Sequence, residues 1–531
     1  MPLIRFSTID VGNKRQLFID DQFIDQAAGV ELVLHPPVDC GPVIEEDRPW
    51  EPEGTIYGYC CVLQDPLEDG LHRLFYYTSC RPPVLAALSR DGVHWDKPEV
   101  GMHEFEGSTA NNMLPVYDTS AQAWRTDIAV EYPFVDPHDV PERRLKNFSR
   151  PSSDDSKPIL VCSGDGLRWE TDGKLQNDVS TDGSEVIFWD DRIGRYVLYG
   201  RASGRSISRM ELEDLTAWPF FKARDAVIRT DYLDAYAETL DGPIIMSRER
   251  IDSLQSTLKP FPWAHKEWDP DIPGAPGFTD RPEWADGVDI YEPTTTKYPF
   301  AENIYLQPLN LFYHKPNLFE VQLAVSRDGI DWSRPGDRRP WVRLPDDSEG
   351  IHVMHAAPGL VRNGNEVYHY VGFTSLWHGG AAPADAHLEK TPEYPKHGAI
   401  HRLKLRLDGY MSATAGNREG TFITPPMVFE GSKLLLNVDT SASGYMRVEM
   451  LDGWIEEESD CTQVDFGYNA PGRGMPIPGF TLAECEQIVA NSCHRQVAWK
   501  ESADVSAWQG KPIRLRFALR NARLYAFQFT D

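Results

Sequence analysis

The pattern S-x-D-G-x-x-W occurs three times in the chain, at residues 89–95 (SRDGVHW), 163–169 (SGDGLRW) and 326–332 (SRDGIDW). Asp-Gly is a tight-turn signal, because glycine accepts the positive φ that such turns need. Serine ahead of it supplies a side chain that can bond turn amides, and tryptophan behind it can pack the turn onto a strand. The first copy follows the apolar or aromatic runs 73–77 and 84–88, and the third follows the run 321–325. A turn that recurs at a fixed place in a β unit is the signature of a repeated β architecture, above all the blades of a propeller. The second gap is about twice the first, which leaves room for a unit whose motif has decayed. Residues 208–218, ending DLTAW, suit that unit. Three chance Asp-Gly turns would not place tryptophan at the same offset each time.

At 531 residues the chain exceeds what one core usually organises, so two domains are expected. Fifteen tryptophans and 21 tyrosines, with few long periodic helical segments, favour an all-β protein. A formal net charge of −28 argues against nucleic acid and anionic membrane surfaces as partners. The opening MPLIRFSTID carries no apolar signal core, and no run approaches transmembrane length. Eight cysteines without a Cys-x-x-Cys do not form a disulfide framework. The expectation is a cytoplasmic protein.

In chain order, residues 17–34 read as an N-terminal strand and its partner that close a propeller. Five units follow, at about 54–98, 110–172, 178–222, 288–336 and 351–412. Residues 258–287 (rich in Pro, Asp and Trp) and 377–397 (with His378, His387 and His397) read as loops at the propeller mouth. From about 420 the apolar residues alternate with period two, which predicts a β-sandwich, with a short helix at 481–486. The expected fold is therefore all-β: a five-bladed β-propeller over 1–415 and a C-terminal β-sandwich over 416–531.

These units resemble the five-bladed glycoside hydrolases, and more specifically bacterial proteins similar to the N-terminal domain of glycoside hydrolase family 32. The resemblance is carried by LFIDD at 17–21, the three S-x-D-G-x-x-W turns, Asp289-Ile290-Tyr291 with Lys297-Tyr298-Pro299, LLLNVDTSASG at 434–444 and LYAFQF at 524–529. Family 32 itself carries Asn-Asp-Pro-Asn-Gly, Arg-Asp-Pro and Glu-Cys. The first two are missing, and the lone Glu484-Cys485 falls in the expected sandwich. Fructosidase chemistry is thus not implied. Family 43, of related architecture, draws an Asp base, an Asp modulator and a Glu acid from different blades.

The resemblance implies a glycosidase, and glycoside hydrolysis needs two carboxylates across the bond, one a general acid and the other a nucleophile or a base. Carboxylates at the openings of inner strands are the candidates: Glu51 and Glu53, Asp182 and Glu185, Asp289 and Glu292, and Glu349 beside His352 and His355. Glu292 is expected as general acid, Asp182 as nucleophile or base, and Asp289 as the group that tunes its neighbour; Glu51 is the fourth catalytic candidate. Trp50, Tyr291, His352, Trp377 and His378 would stack on or hydrogen-bond a sugar. Asp91, Asp165 and Asp328 are assigned to structure. No metal site is expected, though a structural divalent cation such as Ca2+ near His352 or His355 stays open. The expected partner is a small carbohydrate, and self-association is left open. The alternatives are a non-catalytic carbohydrate-binding or interaction propeller, a phosphorylase using Arg201, Arg205 and Arg209, and a lyase with a His or Tyr base.

Overall fold

The computed structural model describes residues 8–52, 54–64, 68, 70–78, 83–149, 159–175, 185–202, 206–215, 244–246, 288–313, 318–336, 339–343, 351, 353–375, 398–453, 474–500 and 502–531. Among them the protein is all-β; the helical segments are the short 3-10 turns Pro141–Arg143 and Ser506–Trp508. No described helix is long and apolar enough to cross a membrane. The chain divides into two compact units. One comprises Met1–His35, Tyr298–Ile304 and Leu405–Asp531, and the other Pro36–Lys297 and Tyr305–Lys404.

Among the described residues the larger unit holds five separate sheets, here numbered I to V along the chain. Sheet I runs Ile56–Gln64, His72–Thr78, Val84–Ser89, Met113–Leu114. Sheet II has six strands, from Phe134–Val135 through Leu145–Ser149, Ile159–Ser163, Trp169–Leu175 and Val116–Asp118 to Ala123–Arg125. Sheet III runs Val186–Asp190, Arg195–Ala202, Ser206–Leu212, Ile244–Met246. Sheet IV runs Val288–Ile290, Tyr305–Tyr313, Leu318–Ser326, Trp332–Ser333, with Thr296–Lys297 also on Tyr305–Tyr313. Sheet V runs Val353–Ala356, Glu366–Thr374, Gly398–Arg406, Val38–Glu45, with Val361–Asn363 on Glu366–Thr374.

Each sheet packs on the next, and the fifth returns to the first. Sheets I and II share a core that includes Phe75, Val84, Leu114, Leu145, Val161 and Trp169. Phe134–Val135 packs on Val186–Asp190, Ser206–Leu212 on Val288–Ile290, Leu318–Ser326 on Val353–Ala356, and both Val353–Ala356 and Glu366–Thr374 on Ile56–Gln64.

The repeated turns are part of this packing. In each, the serine hydroxyl accepts the glycine amide, at 2.8 Å for Ser89 and Gly92 and 2.9 Å for the other two. One oxygen of Asp165 accepts two further amides, at 2.8 Å each, and Asp328 does the same. Partial desolvation works against these two carboxylates, but the amides hold both below the usual carboxylate range. The turn then docks on the second strand of the preceding sheet. Tyr370 of sheet V donates to Gly92 O at 2.7 Å, Arg73 of sheet I to Asp165 O at 2.8 Å, and Tyr199 of sheet III to Gly329 O at 2.9 Å. Trp169 and Trp332 fold back to donate to the carbonyls of Gly166 and Gly329. The motif is therefore an inter-sheet fastener with one constant sense. The decayed copy expected at 208–218 ends outside the described residues.

The smaller unit holds two six-stranded sheets over one core. The first has the path Ile9–Gly12, Met427–Phe429, Ile513–Arg520, Gly420–Ile423, Gln26–Ala28, with Tyr445–Asp452 on Ile513–Arg520. The second has the path Asn491–Gln496, Lys433–Asp439, Ala522–Thr530, Met411–Ala415, Glu31–Leu34, with Gln16–Leu17 on Ala522–Thr530. Alternate residues point inward as a period of two dictates: Met446, Val448 and Met450 from one sheet meet Leu434, Leu436 and Val438 from the other.

Three expectations change here. Residues 17–34 do not close the five-sheet unit, because their apolar residues belong elsewhere. Phe18 and Phe23 are fully buried among Phe422 and Phe527 of the smaller unit. The strand that flanks sheet V is Val38–Glu45, in antiparallel register with Gly398–Arg406. It carries Pro42 and Gly41, which an edge strand tolerates. The division between the units thus falls near residue 405 and not at 415, with the first 35 residues on the C-terminal side. The helix expected at 481–486 is a turn, where Glu484 accepts from Thr481 and from the Gly479 amide.

Candidate active site around Glu292

The first strand of sheet IV is interrupted. Val288–Ile290 pairs with Tyr305–Tyr313, and pairing resumes at Thr296–Lys297. Pro293 on one side and Pro308 on the other each lack an amide donor, so the ladder opens between them. Side chains replace it. Thr294 donates to Pro308 O, Thr295 to Gln307 Oε1, and Gln307 Nε2 reaches Thr294 Oγ1 at 3.1 Å and Glu292 O at 3.4 Å. Glu292 lies in this opening and is buried, at 3% exposure.

Residues from four of these sheets, or from the segments beside them, gather around its carboxylate and His355. The Tyr132 hydroxyl, from the segment entering sheet II, donates to Glu292 Oε2 at 3.2 Å. His355 Nδ1, from sheet V, lies 3.8 Å from the same oxygen. The Tyr59 ring of sheet I stacks on the His355 ring at 4.5 Å, and its hydroxyl donates to Tyr291 Oη at 3.3 Å. Tyr291 and Phe319 of sheet IV complete the wall of His355, at 5.4 and 4.9 Å. Beside them the Cys60 thiol is pushed up by burial, and then by Cys61 and Glu292, so it stays protonated.

This close convergence depends on two glycines. A Cβ on Gly372 of sheet V would lie 2.1 Å from the Cα of Gly58 of sheet I, and one on Gly58 would lie 3.0 Å from the His355 ring. Gly58 also has φ +83°, in the left-handed region. Their absent side chains let Tyr59 reach His355.

Of the residues named from the sequence, the structure brings Tyr291, Glu292 and His355 together. Asp289 lies in the strand Val288–Ile290, opposite Phe312, and its side chain is outside the description. Asp182, His352, Trp377 and His378 lie outside the described residues, as do the loops 258–287 and 377–397. Glu51 and Trp50 stand in a different network, within sheet I. Tyr76 donates to Glu51 Oε1 at 2.6 Å, Lys97 Nζ reaches Oε2 at 2.6 Å, and the Asp47 amide donates to Oε2 at 3.2 Å. Trp50 Nε1 donates to Asn112 Oδ1 at 2.7 Å, and Asn112 Nδ2 to Tyr76 Oη at 3.0 Å. With both oxygens so engaged, Glu51 is set apart from Glu292. Another buried carboxylate, Asp190, is similarly engaged by Tyr305 and Lys297.

Tyr59 and Tyr132 did not emerge from the sequence. Tyr132 stands directly before the first strand of sheet II, the one unit for which no inner-strand candidate was named. Tyr59 sits inside an almost wholly apolar run, which hides a functional ring among core residues. Among the described residues no group of three or more His, Cys, Asp or Glu is arranged to hold a metal ion.

No protein-family model matches the chain, and no curated protein matches its sequence. Solved structures similar to it include a family 43 arabinoxylan arabinofuranohydrolase from Bacillus subtilis, at 11% identity and a TM-score of 0.33, over 90% of this chain and 96% of that one. A glycosyl hydrolase from Bacteroides ovatus is 11% identical with a TM-score of 0.38, over 74% and 96%. A family 32 β-fructofuranosidase from Bombyx mori is 9% identical with a TM-score of 0.35, over 92% and 94%.

Proposed function

We propose that the five-sheet unit is a five-bladed β-propeller, that the two-sheet unit is a β-sandwich, and that the protein hydrolyses a glycosidic bond with Glu292 as general acid. The closed order in which the five sheets pack supports the first part, and the common core of the two six-stranded sheets supports the second. The observation that carries the chemistry is a buried carboxylate that Tyr132 bonds and His355 flanks, with Tyr59 stacked on that histidine. A group held by Tyr132 and flanked by His355 sits where a propeller's inner strands converge. A general acid must carry its proton to the leaving oxygen, and a dry, aromatic setting suits that task. The half-buried Tyr291 beside Glu292 carries an apolar ring and a hydroxyl of the kind that a sugar ring takes.

The partner carboxylate in this reading is Asp182, at the opening of sheet III, with Asp289 tuning Glu292. His352, Trp377 and His378 line the sugar. Glu51 is structural. The distance between Glu292 and Asp182 would set the outcome, with retention at about 5–5.5 Å and inversion at about 6.5–9.5 Å.

The test is a hydrolysis screen against aryl glycosides and short oligosaccharides, pyranoside and furanoside, with and without phosphate and with chelator. Release of aglycone supports the reading, and phosphate dependence moves it to a phosphorylase. Failure on every substrate counts against it. A second reading rests on one observation: the groups placed around Glu292 are a histidine and tyrosines, a set that suits proton abstraction beside a uronic acid carboxyl. Formation of an unsaturated product from a uronic-acid oligosaccharide, followed by its ultraviolet absorbance, favours that lyase over the hydrolase.

A further inference from the structure

Asn310 stands on Tyr305–Tyr313, directly opposite Tyr291, and is fully buried. It holds both halves of the Glu292–His355 pair. Its backbone carbonyl accepts the Tyr291 amide at 2.7 Å, one residue before Glu292. Its side-chain Oδ1 accepts the Ala356 amide at 2.8 Å, one residue after His355. The donor on Ala356 fixes which way the carboxamide points. Its Nδ2 then has no hydrogen-bond partner among the described residues.

An aspartate would accept from Ala356 equally well, and it would leave no buried donor without a partner. Among the described residues the amide nitrogen makes no contact that explains it, so its neutrality is the property left to explain. We propose that Asn310 is the positioning residue that sets Glu292 against His355, and that it is an amide because a second carboxylate there would compete with Glu292 for the proton. The separation of 3.8 Å between Glu292 Oε2 and His355 Nδ1 is too long for a hydrogen bond and short enough for a strong charge interaction. A small shift of either strand would therefore change how the pair shares a proton. Among the described side chains, the titratable groups placed against the pair include Tyr132, Tyr59, Tyr291 and Cys60, and the proposed Asp289 and Asp182 would add only negative charge. The tyrosines and the cysteine are neutral near pH 7, so a charge at 310 would stand beside the pair without a compensating cation among these groups.

The role of the proton in catalysis rests on the glycosidase reading, but the placement does not. The experiment therefore reads the histidine ring directly. The full-length protein, with isotope-labelled histidine, is compared with Asn310→Asp and Asn310→Ala by ring nitrogen and carbon shifts from pH 5 to 9. His355→Gln assigns the His355 signal, and the buried His369 serves as internal reference. In Asn310→Asp, His355 should hold its proton to a higher pH, by about one unit or more. In Asn310→Ala the His355 signal should move while that of His369 stays. If the wild type cleaves a glycoside, the pH profile of kcat/KM in Asn310→Asp should shift to higher pH in parallel. A displaced His355 signal in a protein that cleaves nothing would sustain the placement and sink the glycosidase reading. His355 signals that superimpose on wild type in both variants, with only the Tm lowered, would reduce Asn310 to a packing residue and overturn the proposal.

Discussion

The Tyr132 hydroxyl lies 3.2 Å from Glu292 Oε2, although the two residues are 160 positions apart in the chain. The bond ties sheet II to sheet IV at the carboxylate. Tyr132→Phe should lower kcat/KM by about 3- to 10-fold, since a hydrogen bond to the protonated acid contributes about 0.5–1.5 kcal/mol. The Tm should change little, because the ring still fills its place. Steady-state kinetics on whichever glycoside is cleaved, with a melting curve alongside, checks this. An unchanged kcat/KM would remove Tyr132 from the site.

The fastening turns make a prediction about stability alone. Gly329 has φ +74°, and a Cβ there would lie 2.5 Å from the Tyr199 hydroxyl that bonds its carbonyl. Gly329→Ala should cost about 2–4 kcal/mol, from left-handed strain and from displacement of that bond. Gly194 also has positive φ, +64°, but nothing lies within 4 Å of its would-be Cβ. Gly194→Ala should cost only about 1 kcal/mol. Equal losses in urea unfolding would mean that the docking on Tyr199 contributes nothing.

In the smaller unit, Asp408 joins three stretches of chain. It is buried at 1% exposure and receives Arg15 Nε at 2.5 Å, Tyr298 Oη at 2.8 Å and Asn437 Nδ2 at 3.0 Å. Asp408→Ala should destabilise by about 3–5 kcal/mol, because the buried Arg15 loses its counter-charge. Asp408→Asn should lose less, since asparagine tolerates the φ of +61° and keeps one acceptor. Chemical unfolding of the two variants ranks them; the reverse order would contradict the ion-pair account.

Stability should fall on mild acidification. Burial, and then the charge of Arg523, lowers His35 from 6.5 to about 4, and burial lowers His369 to about 3. Between pH 6.5 and these values the unfolded chain takes up protons that the folded chain refuses. The stabilisation is therefore complete above pH 6.5 and is lost as pH falls toward 4. For His35 the loss is on the order of 2 kcal/mol after allowing for its partial exposure. Urea midpoints at pH 7.5 and 4.5 measure it, and His35→Gln should flatten the dependence. An equal slope in that variant would show that His35 does not contribute.

The sequence displayed the repeat because turn chemistry is local. Ser89, Asp91 and Gly92 bond one another within four positions, so their spacing survives in the text of the chain. What the turn docks on is not local, and Tyr370, Arg73 and Tyr199 carried no mark. Glu292 was legible as a carboxylate at the opening of an inner strand. Tyr59 and Asn310 were not, because a buried tyrosine or asparagine in a strand looks the same whether it packs or acts. Glu51 shows the opposite failure: a glutamate beside a tryptophan at a strand opening resembles a sugar site, yet Lys97 and Tyr76 claim it.

The most direct measurement is the activity of Glu292→Gln beside the wild type, on aryl glycosides with good and poor leaving groups. The account predicts that the variant melts like the wild type and loses at least about 100-fold on the poor leaving group, which needs protonation, and much less on the good one. Full activity on both substrates, or an equal loss on each, would contradict Glu292 as the general acid.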